Sequence, residues 1–463
     1  MAVSSLTWRN TLLVAAGVVL LAAVARMPFW LSYTHAYGNG DAAIWQVWSK
    51  AIHDHGFINV LRTADSNNVG YHYVLWPTSV IYARFNADYE LWTPLLRILI
   101  KVPPFVCDLG LAALIFATAR MLAPPGLDPA RRNVAAAGCA LAFALAPAAI
   151  YDSMWWSQTD SIIALCSLGA IVLLARGQVA LAFAVWTLGF LAKPQPVVIL
   201  PALVAFAYWR FGAAGVLRGA AGGGAMFAAA VAPFVLHGDT RLLIETYQRM
   251  FEQGPIDLAQ GAWNGWSIAD ARGDPRPGDA LFEVGGVAIT YAGLSLALCA
   301  GAAAIVLAWL RSRLDLEGLL LACATLVFAF YILPTSTHER YVYPAFALTA
   351  PVLVRQRWLI APYAALSVTF ILNLLAINPP NASEFWQWHG TAFAQAIAGF
   401  HTAVFAATMA LMAVLAVRAL VRVPERVPVP AWLARGDPAI PASAPATEDG
   451  QGTPEAAIAE IAR

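Results

Sequence analysis

Twelve long apolar stretches divide this 463-residue chain, and arginines gather at alternate junctions between them. Hydrophobic residues make up 60% of the chain and charged residues only 12%, whereas an average soluble domain carries about 25% charged residues. A water-soluble globule could not hide that much apolar surface, so the lipid bilayer has to act as its solvent. The sequence therefore predicts an all-α, polytopic integral membrane protein with about 12 transmembrane helices.

The predicted spans lie at 11–31, 94–122, 134–150, 159–175, 179–192, 197–209, 219–236, 286–310, 317–333, 341–354, 357–375 and 396–421. The first is long enough to cross a bilayer, so a retained helix is favoured over a cleaved signal peptide. Two stretches, 179–192 and 197–209, are short of the roughly 20 residues that a crossing needs. We interpret them as a hairpin of two short helices, because one continuous helix would invert the arginine pattern of every later loop.

The joint of this hairpin is Lys193-Pro194-Gln195-Pro196, in which prolines interrupt helical hydrogen bonding next to a charge. Irregular, charged backbone near membrane depth is tolerated only where it lines water or a protein cavity. Lys193 and Gln195 are therefore predicted to face a site.

Arginine placement sets the predicted orientation, because positive residues favour short cytoplasmic loops. The junctions assigned to the cytoplasm carry Arg131, Arg132, Arg176, Arg210, Arg218, Arg311, Arg313, Arg355 and Arg357. The long segments 32–93 and 237–285 then lie outside, in a plasma or inner membrane protein whose site faces the periplasm or exterior. Residues 1–421 are predicted to form one domain, and the tail 422–463, rich in proline, alanine and acidic residues, a disordered cytoplasmic extension.

Composition also argues against several kinds of site. The formal net charge is +1 and no basic run occurs, so no nucleic-acid partner is expected. The five cysteines lie in apolar spans without ligand spacing, which argues against disulfides and metal. His53 and His55 point to different sides of a helix, so together with His72 they do not predict a metal site. No cofactor is predicted, although participation of a divalent metal stays open.

Asp41 begins a predicted amphipathic helix in the outer segment 32–93. Ile44, Val47 and Trp48 follow the apolar spacing of one helix face, which favours a helix lying on the membrane surface. A carboxylate at a helix N-terminus is stabilised by free backbone N–H groups and by the helix dipole. Two interpretations of Asp41 stay open, a helix cap and a reactive carboxylate.

The short outer loop around residue 156 is rich in polar and aromatic groups. It holds two carboxylates, an amide and paired indoles, namely Asp152, Trp155, Trp156, Gln158 and Asp160. Polar and charged side chains cost free energy at the membrane edge unless they bind a partner or a ligand. Helix capping by Ser157 or Thr159 explains only part of this pattern. Because a carbohydrate needs flat apolar faces for its rings and polar partners for its hydroxyls, we favour sugar binding here.

Two further clusters carry charge. In His338-Glu339-Arg340-Tyr341, the guanidinium suits a phosphate, because it binds two oxygens in fixed geometry; an internal ion pair between Glu339 and Arg340 is the alternative.

In the second span, Arg97, Lys101 and Asp108 are spaced to share one helix face. A structural Lys101–Asp108 contact is favoured there, and contact of Arg97 or Lys101 with a lipid phosphate is the alternative.

Taken in order, these motifs resemble the GT-C superfamily of polyprenyl-phosphate-sugar-dependent glycosyltransferases, and within it the bacterial relatives of the eukaryotic GPI mannosyltransferase II. The resemblance covers roughly residues 30–350. The matching segments are Gly40-Asp41 with Trp48, Lys101 to Asp108, Trp156-Ser157-Gln158-Thr159-Asp160-Ser161, Lys193-Pro194-Gln195, Ala262-Trp263-Asn264-Gly265-Trp266 and His338-Glu339-Arg340-Tyr341. Ser157 replaces the family's glycine, and Trp76-Pro77-Thr78 departs from its Tyr-Pro-Pro-Gly segment, which leaves the donor specificity open.

The resemblance implies inverting transfer of a hexose, with mannose the expected sugar, from a polyprenyl phosphate to an acceptor hydroxyl on a lipid, glycan or protein. It implies Asp41 as the general base, Lys193, Arg340 and His338 as ligands of the donor phosphate, and Trp156, Gln158 and Asp160 as ligands of the donor sugar. Further candidates are Asp152, Gln195, Asn264, Trp266, Glu339, Lys101 and Asp108. A transporter or flippase for lipid-linked sugars is the alternative, since twelve spans also suit one common transporter plan.

Overall fold

The computed structural model describes residues 2–31, 40–63, 69–252, 257–270, 275–379 and 391–421. The tail predicted to be disordered, 422–463, lies outside the described residues. Within them the chain is mostly helical.

The helices follow the apolar pattern of the sequence closely. The first part of the chain forms α1 (Ala2–Leu31), α2 (Gly40–His55), α3 (Val60–Thr63), α4 (Val69–Phe85), α5 (Pro94–Ile100), α6 (Val102–Leu122), α7 (Pro129–Ala144) and α8 (Pro147–Ile150). The middle part forms α9 (Asp160–Ala175), α10 (Val179–Ala192), α11 (Leu200–Leu236), α12 (Thr240–Glu252) and α13 (Gly265–Asp270). A hairpin of β1 (Ala280–Val284) and β2 (Val287–Thr290) precedes α14 (Tyr291–Arg311), α15 (Leu316–Ile332), α16 (Tyr343–Thr349), α17 (Ile360–Ile377) and α18 (Ala392–Val421).

Several of these helices are long and apolar enough to cross a bilayer, so the protein is a multi-pass membrane protein. In the described part of the chain, six segments are long and apolar enough to cross a bilayer: Trp8–Leu31, Pro94–Leu122, Gln195–Leu236, Tyr291–Arg311, Arg357–Ile377 and Ala392–Ala419. The pair Pro129–Ala144 and Pro147–Trp155, bent by 55°, is a seventh candidate. The remaining predicted spans are also at least partly helical, but α9, α10 and α15 are shorter apolar helices.

The predicted helical hairpin at 179–209 is present as α10 and the first part of α11, and glycines in the second part of α11 also pack against α10. A Cβ on Gly222 would lie 2.1 Å from the Ala180 carbonyl oxygen, and one on Gly219 would lie 2.8 Å from the Phe183 ring. Close approach of the two helices therefore requires glycine at both positions. The predicted separation of the helices at 197–209 and 219–236 is present too, because Leu200–Leu236 consists of two helices that meet at a kink at Gly212, where φ is +69° and ψ −168°.

The helices α9 and α15 form the centre of the bundle, because nearly all of their residues are buried. The outer helix α1 behaves differently, since Leu13, Leu20 and Val24 are more than half exposed. This distribution is expected where lipid rather than water surrounds the bundle, because apolar side chains can then face outward at no cost.

Asp108 is the polar centre of the bundle. Arg26 of α1 places its Nε 2.7 Å from the Asp108 carboxylate, and neither side chain is exposed to solvent. Tyr343 Oη donates to the same carboxylate at 2.9 Å, and Ser153 Oγ donates at 2.5 Å. Because an intramembrane charge needs a partner, this network holds α1, α6, α16 and the turn after α8 together.

The predicted contact between Lys101 and Asp108 is wrong. Lys101 Nζ instead donates to the Phe29 carbonyl oxygen at 3.1 Å. Lys101 lies at the junction of α5 and α6, where Pro103 and Pro104 stand in the first turn of the new helix. Lys101 and Asp108 therefore do not share a helix face, and the charged partner of Asp108 is Arg26.

The arginine-bearing junctions meet at one end of the bundle. Glu317, at the start of α15, accepts from Arg313 NH2 at 3.2 Å and lies 3.3 Å from Arg355 NH1. Arg210 NH1 donates to the Leu314 carbonyl oxygen at 3.0 Å in the same region. Since α15 has 17 residues, its ends are about 25 Å apart, and the polar segment 334–340 follows its opposite end.

A β-hairpin departs from the all-α prediction. β1 and β2 pair antiparallel around Gly285 and Gly286, whose φ angles are +59° and +82°. Such a turn needs left-handed conformation at both central residues, which glycine adopts without strain. The predicted span 286–310 therefore begins as a strand, and its helix starts only at Tyr291.

Candidate active site

Asp41 is held at the junction of three segments that are distant in sequence. It lies in the first turn of α2, and its side chain is 26% exposed. Gln158 Nε2 donates to its Oδ2, and Arg340 NH2 lies 3.7 Å from the same oxygen. The carboxylate is thus oriented by groups outside its own helix.

The helix α2 forms as predicted, and its apolar residues are divided between protein contacts and the surface. Trp45, Trp48 and Ser49 are buried, whereas Ile44 and Val47 remain 42% and 48% exposed. The buried face rests on α4 and the segment that follows it, where Ser49 Oγ and Tyr89 Oη are 2.6 Å apart. These tertiary contacts fix the rotation of the helix that carries Asp41, and they leave Ile44 and Val47 free to face the membrane surface as predicted.

The loop that carries Gln158 is tied to α2. Trp45 Nε1 donates to the Ser157 carbonyl oxygen at 3.0 Å, and Gln158 N donates to the Asp152 carbonyl oxygen at 3.0 Å. Ser157 has φ +61°, a left-handed conformation that favours glycine and costs other residues about 1 kcal/mol. Glycine would adopt this turn without strain, and serine adopts it with strain.

Asp160 and Lys193 form a buried ion pair beside Asp41. Lys193 Nζ lies 3.1 Å from both carboxylate oxygens of Asp160, whose side chain is fully buried at the start of α9. Lys193 follows the last residue of α10 in extended conformation and lies 5.7 Å from the centroid of the Tyr341 ring. The break between α10 and α11 thus directs its charge into the site.

Arg340 lies between the carboxylates of this cluster. Its NH1 is 2.7 Å from Glu339 Oε1, its Nε is 4.0 Å from Asp160 Oδ2, and its guanidinium stacks 5.4 Å from the Trp156 ring. The Glu339–Arg340 ion pair, the alternative to phosphate binding in the sequence analysis, is therefore present, and the same guanidinium also lies within 4.0 Å of Asp160 and Asp41. Trp156 is a support for this cation, which limits the ring surface left for a sugar.

Charge coupling is strong at Glu339 and Arg340. Burial alone would raise the pKa of Glu339, but Arg340 and His338 outweigh it and lower that pKa to about 2. Burial likewise opposes the charge of Arg340, yet Glu339, Asp41 and Asp160 raise its pKa above the ordinary value. His338 Nδ1 lies 3.8 Å from Glu339 Oε2, and this side chain is 34% exposed.

Gly261 brings a further segment against this loop. It forms an isolated antiparallel bridge with His338, has φ +90°, and a Cβ there would lie 2.7 Å from Glu339 Oε2. The close approach of its backbone to the Glu339 carboxylate therefore requires glycine.

Asn264 and Trp266 have structural partners. Asn264 Nδ2 donates to the Tyr331 carbonyl oxygen at 2.9 Å, and its Oδ1 accepts from Trp266 N and Ser267 N at the start of α13. Trp266 Nε1 donates to the Leu333 carbonyl oxygen at 2.6 Å. Both residues hold the segment after Gly261 against the end of α15, so their contacts support the site rather than line it.

The two remaining candidates lie deeper. Asp152 is fully buried, and among the described residues neither of its carboxyl oxygens has a hydrogen-bond partner. Gln195, Ser167 and Tyr341 line a cavity of about 10 Å³, roughly the space of one water molecule. Asp108 and Lys101, by contrast, belong to the packing of the bundle.

Sequence reasoning missed Tyr71, which lies beside Asp41. Its side chain is fully buried, its ring packs edge-on to Trp45 at 4.5 Å, and its hydroxyl has no hydrogen-bond partner among the described residues. Burial and the Asp41 carboxylate raise its pKa. No spacing or motif in α4 distinguishes this tyrosine, so only the fold reveals it.

The fold and this cluster define a multi-pass membrane protein with an acidic and basic site at one end of its helical bundle. No protein-family model matches the chain, and no curated protein matches it significantly. The functional argument therefore rests on the geometry of the site.

Proposed function

We propose that the protein is a GT-C-type inverting glycosyltransferase with twelve spans. It transfers a hexose, with mannose favoured, from a polyprenyl phosphate to an acceptor hydroxyl at the non-cytoplasmic face of a plasma or inner membrane. The observation that carries this proposal is the convergence of Asp41, Gln158 and Arg340. A carboxylate, an amide that orients it and a cation are the groups that such a displacement needs.

Asp41 is assigned as the general base. It is the most exposed of the carboxylates in contact with Arg340, so an acceptor hydroxyl can reach it from outside. Removal of the hydroxyl proton as the sugar transfers contributes about 10²–10⁴-fold to the rate of such reactions. The hydrogen bond from Gln158 fixes the direction of the carboxylate, which proton transfer requires.

Lys193 and Arg340 are assigned to the leaving phosphate. Asp160 lies within 4.0 Å of both cations and holds them on one side of the site. Preorganised cations stabilise the charge that develops on a leaving phosphate, and Arg can bind two of its oxygens. We accordingly assign Asp160 to positioning these cations, and His338 to the exposed rim of the same loop.

A lipid-linked donor fits the location of the site. The described connections at the opposite, arginine-bearing end are short, as at 176–178 and 312–315. A nucleotide-sugar enzyme would need a substantial nucleotide-binding region on the cytoplasmic side. A polyprenyl phosphate can instead reach the site laterally from the bilayer.

The test is sugar transfer by purified protein in detergent, with synthetic polyprenyl-phosphate mannose and extracted membrane lipids and glycans as acceptors. Asp41→Asn should abolish transfer while the protein stays folded. Asp54→Asn is the matched control, because Asp54 lies on the same helix and forms its ion pairs with nearby Lys50 and His53. A flippase for lipid-linked sugars would move the donor across liposomes and transfer nothing in detergent, which would contradict the proposal.

A further inference from the structure

The β-hairpin carries an apolar face that the described residues of the protein leave open. The register pairs Phe282 with Ile289 and Val284 with Val287, and paired residues of alternate positions lie on one face of a sheet. Phe282, Val284 and Val287 are 48%, 60% and 63% exposed. Four apolar side chains therefore form one continuous surface, which a two-stranded hairpin in water would not favour.

The opposite face of the hairpin carries a charge. It holds the pair Glu283 and Ala288, both exposed, while Leu281, 38% exposed, stands at the register irregularity between Ala280 and Phe282. The hairpin is thus amphipathic across its thickness, with the apolar pairs on one side and a carboxylate on the other. This division is typical of an element that lies at a boundary between water and lipid.

The hairpin is fixed to the end of a membrane helix. Ala292 N donates to the Pro277 carbonyl oxygen at 2.8 Å, and Tyr291 N donates to the Asp279 carbonyl oxygen at 3.3 Å. These bonds join the base of the hairpin to the first turn of α14, which is apolar over its 21 residues. The other end of α14 carries Arg311, which lies 5.8 Å from the Trp209 ring in the arginine-bearing region.

We infer that the apolar face of the hairpin, formed by Phe282, Val284, Val287 and Ile289, is embedded in the lipid surface at the end of the bundle that carries the candidate site. The hairpin starts where α14 leaves the bilayer, so lipid is the apolar phase within its reach. This inference does not depend on the chemistry of the site.

Embedding of the hairpin in lipid would fix the distance between the candidate site and the bilayer surface. Ser295 Oγ, one turn into α14, accepts from Thr335 N at 3.2 Å, and Thr335 begins the segment that leads to Arg340. Trp266 also packs edge-on to Tyr291 at 5.9 Å. The hairpin, α14 and the site loop are therefore mechanically connected through short contacts.

The experiment compares the two faces. Val284→Cys and, as matched control, Ala288→Cys are labelled with an environment-sensitive fluorophore in the full-length protein, which is placed in lipid nanodiscs. Lipids that carry a nitroxide quencher near the headgroup are then added to the bilayer. The unsubstituted protein, treated with the same label, corrects for its five native cysteines.

We expect the label at 284 to be quenched several-fold more strongly than the label at 288, with a blue-shifted emission. Equal, weak quenching at both positions would show that the face is open to water and would overturn the inference. Efficient disulfide cross-linking between two copies of Val284→Cys, without lipid quenching, would also overturn it and assign the face to a second copy of the chain.

Discussion

Gln158 donates a hydrogen bond to the carboxylate of Asp41 across 117 residues of chain. The two residues belong to different elements, the loop before α9 and the first turn of α2. The bond from Trp45 to the Ser157 carbonyl oxygen holds these elements in register. The orientation of Asp41 is thus a property of the assembled fold rather than of its own helix.

Gln158→Leu should slow transfer without unfolding the protein. The substitution removes the donor that orients Asp41, and such a bond to a charged group contributes about 1.5–3 kcal/mol, so kcat should fall about 10–100-fold. Gln178→Leu is the control, because this residue is exposed at the opposite end of α9. Steady-state kinetics with a mannosyl donor measure the effect, and an unchanged kcat would remove Gln158 from the site.

Lys193→Ala should both slow transfer from the lipid-linked donor and destabilise the protein. It leaves the Asp160 carboxylate buried without its nearest cation, a loss of about 3–5 kcal/mol. Lys193→Ala combined with Asp160→Asn removes that charge, so thermal stability should recover in part. Transfer should not recover, because the cation for the phosphate is still missing. Recovery of both would show that Lys193 serves only as a structural partner of Asp160.

Gly70→Ala should separate α4 from α10. A Cβ at this position would lie 2.5 Å from the Leu191 backbone carbon, and overpacking of this kind costs about 1–3 kcal/mol. Lys193 follows two residues after Leu191, so transfer should fall as well. Gly138→Ala is the opposite control, because nothing lies within 4 Å of its added Cβ and alanine favours the helix. Thermal unfolding of both variants tests the contrast.

His72 should make the protein sensitive to mild acid. Burial on α4 lowers the pKa of His72 to about 4, whereas the unfolded chain titrates near pH 6.5. Between these values only the unfolded state binds the proton, so stability falls as the pH drops through this window, by up to about 3 kcal/mol. His72→Phe should flatten the dependence of Tm on pH there. His55→Phe, at an exposed position, should retain the slope of the unsubstituted protein.

Local patterns in the sequence predicted the helices and most of the site. Apolar runs indicate the segments that lie in lipid. Charged or irregular breaks between these runs mark where protein contacts must satisfy the polar groups of the chain. The predicted group Asp41, Gln158, Asp160, Lys193 and Arg340 is brought together for this reason. Each of its members lies at the end of an apolar stretch or in a loop beside one.

Contacts that depend on tertiary packing could not be predicted in the same way. Arg26 was missed and Lys101 was paired wrongly, because helix spacing cannot show which charge on a distant helix meets Asp108. The contacts of Ser49 with Tyr89 and Ser79, which fix the rotation of α2, likewise have no signal in its apolar pattern. The β-hairpin did have a local signal, since Gly285-Gly286 between apolar residues is a strong turn marker. The predicted span 286–310 begins at this turn, however, so its apolar residues were assigned to a membrane helix.

The pairing of Arg26 with Asp108 has a consequence for how the chain is made. An arginine within an apolar helix costs about 2.5–3.5 kcal/mol on insertion into the bilayer, and its acidic partner is synthesised 82 residues later. While the ribosome is still translating the intervening segment, α1 has its charge and no counter-charge. The final packing of α1 can therefore form only after α6 has emerged, because until then Arg26 lacks the carboxylate that it contacts in the folded bundle.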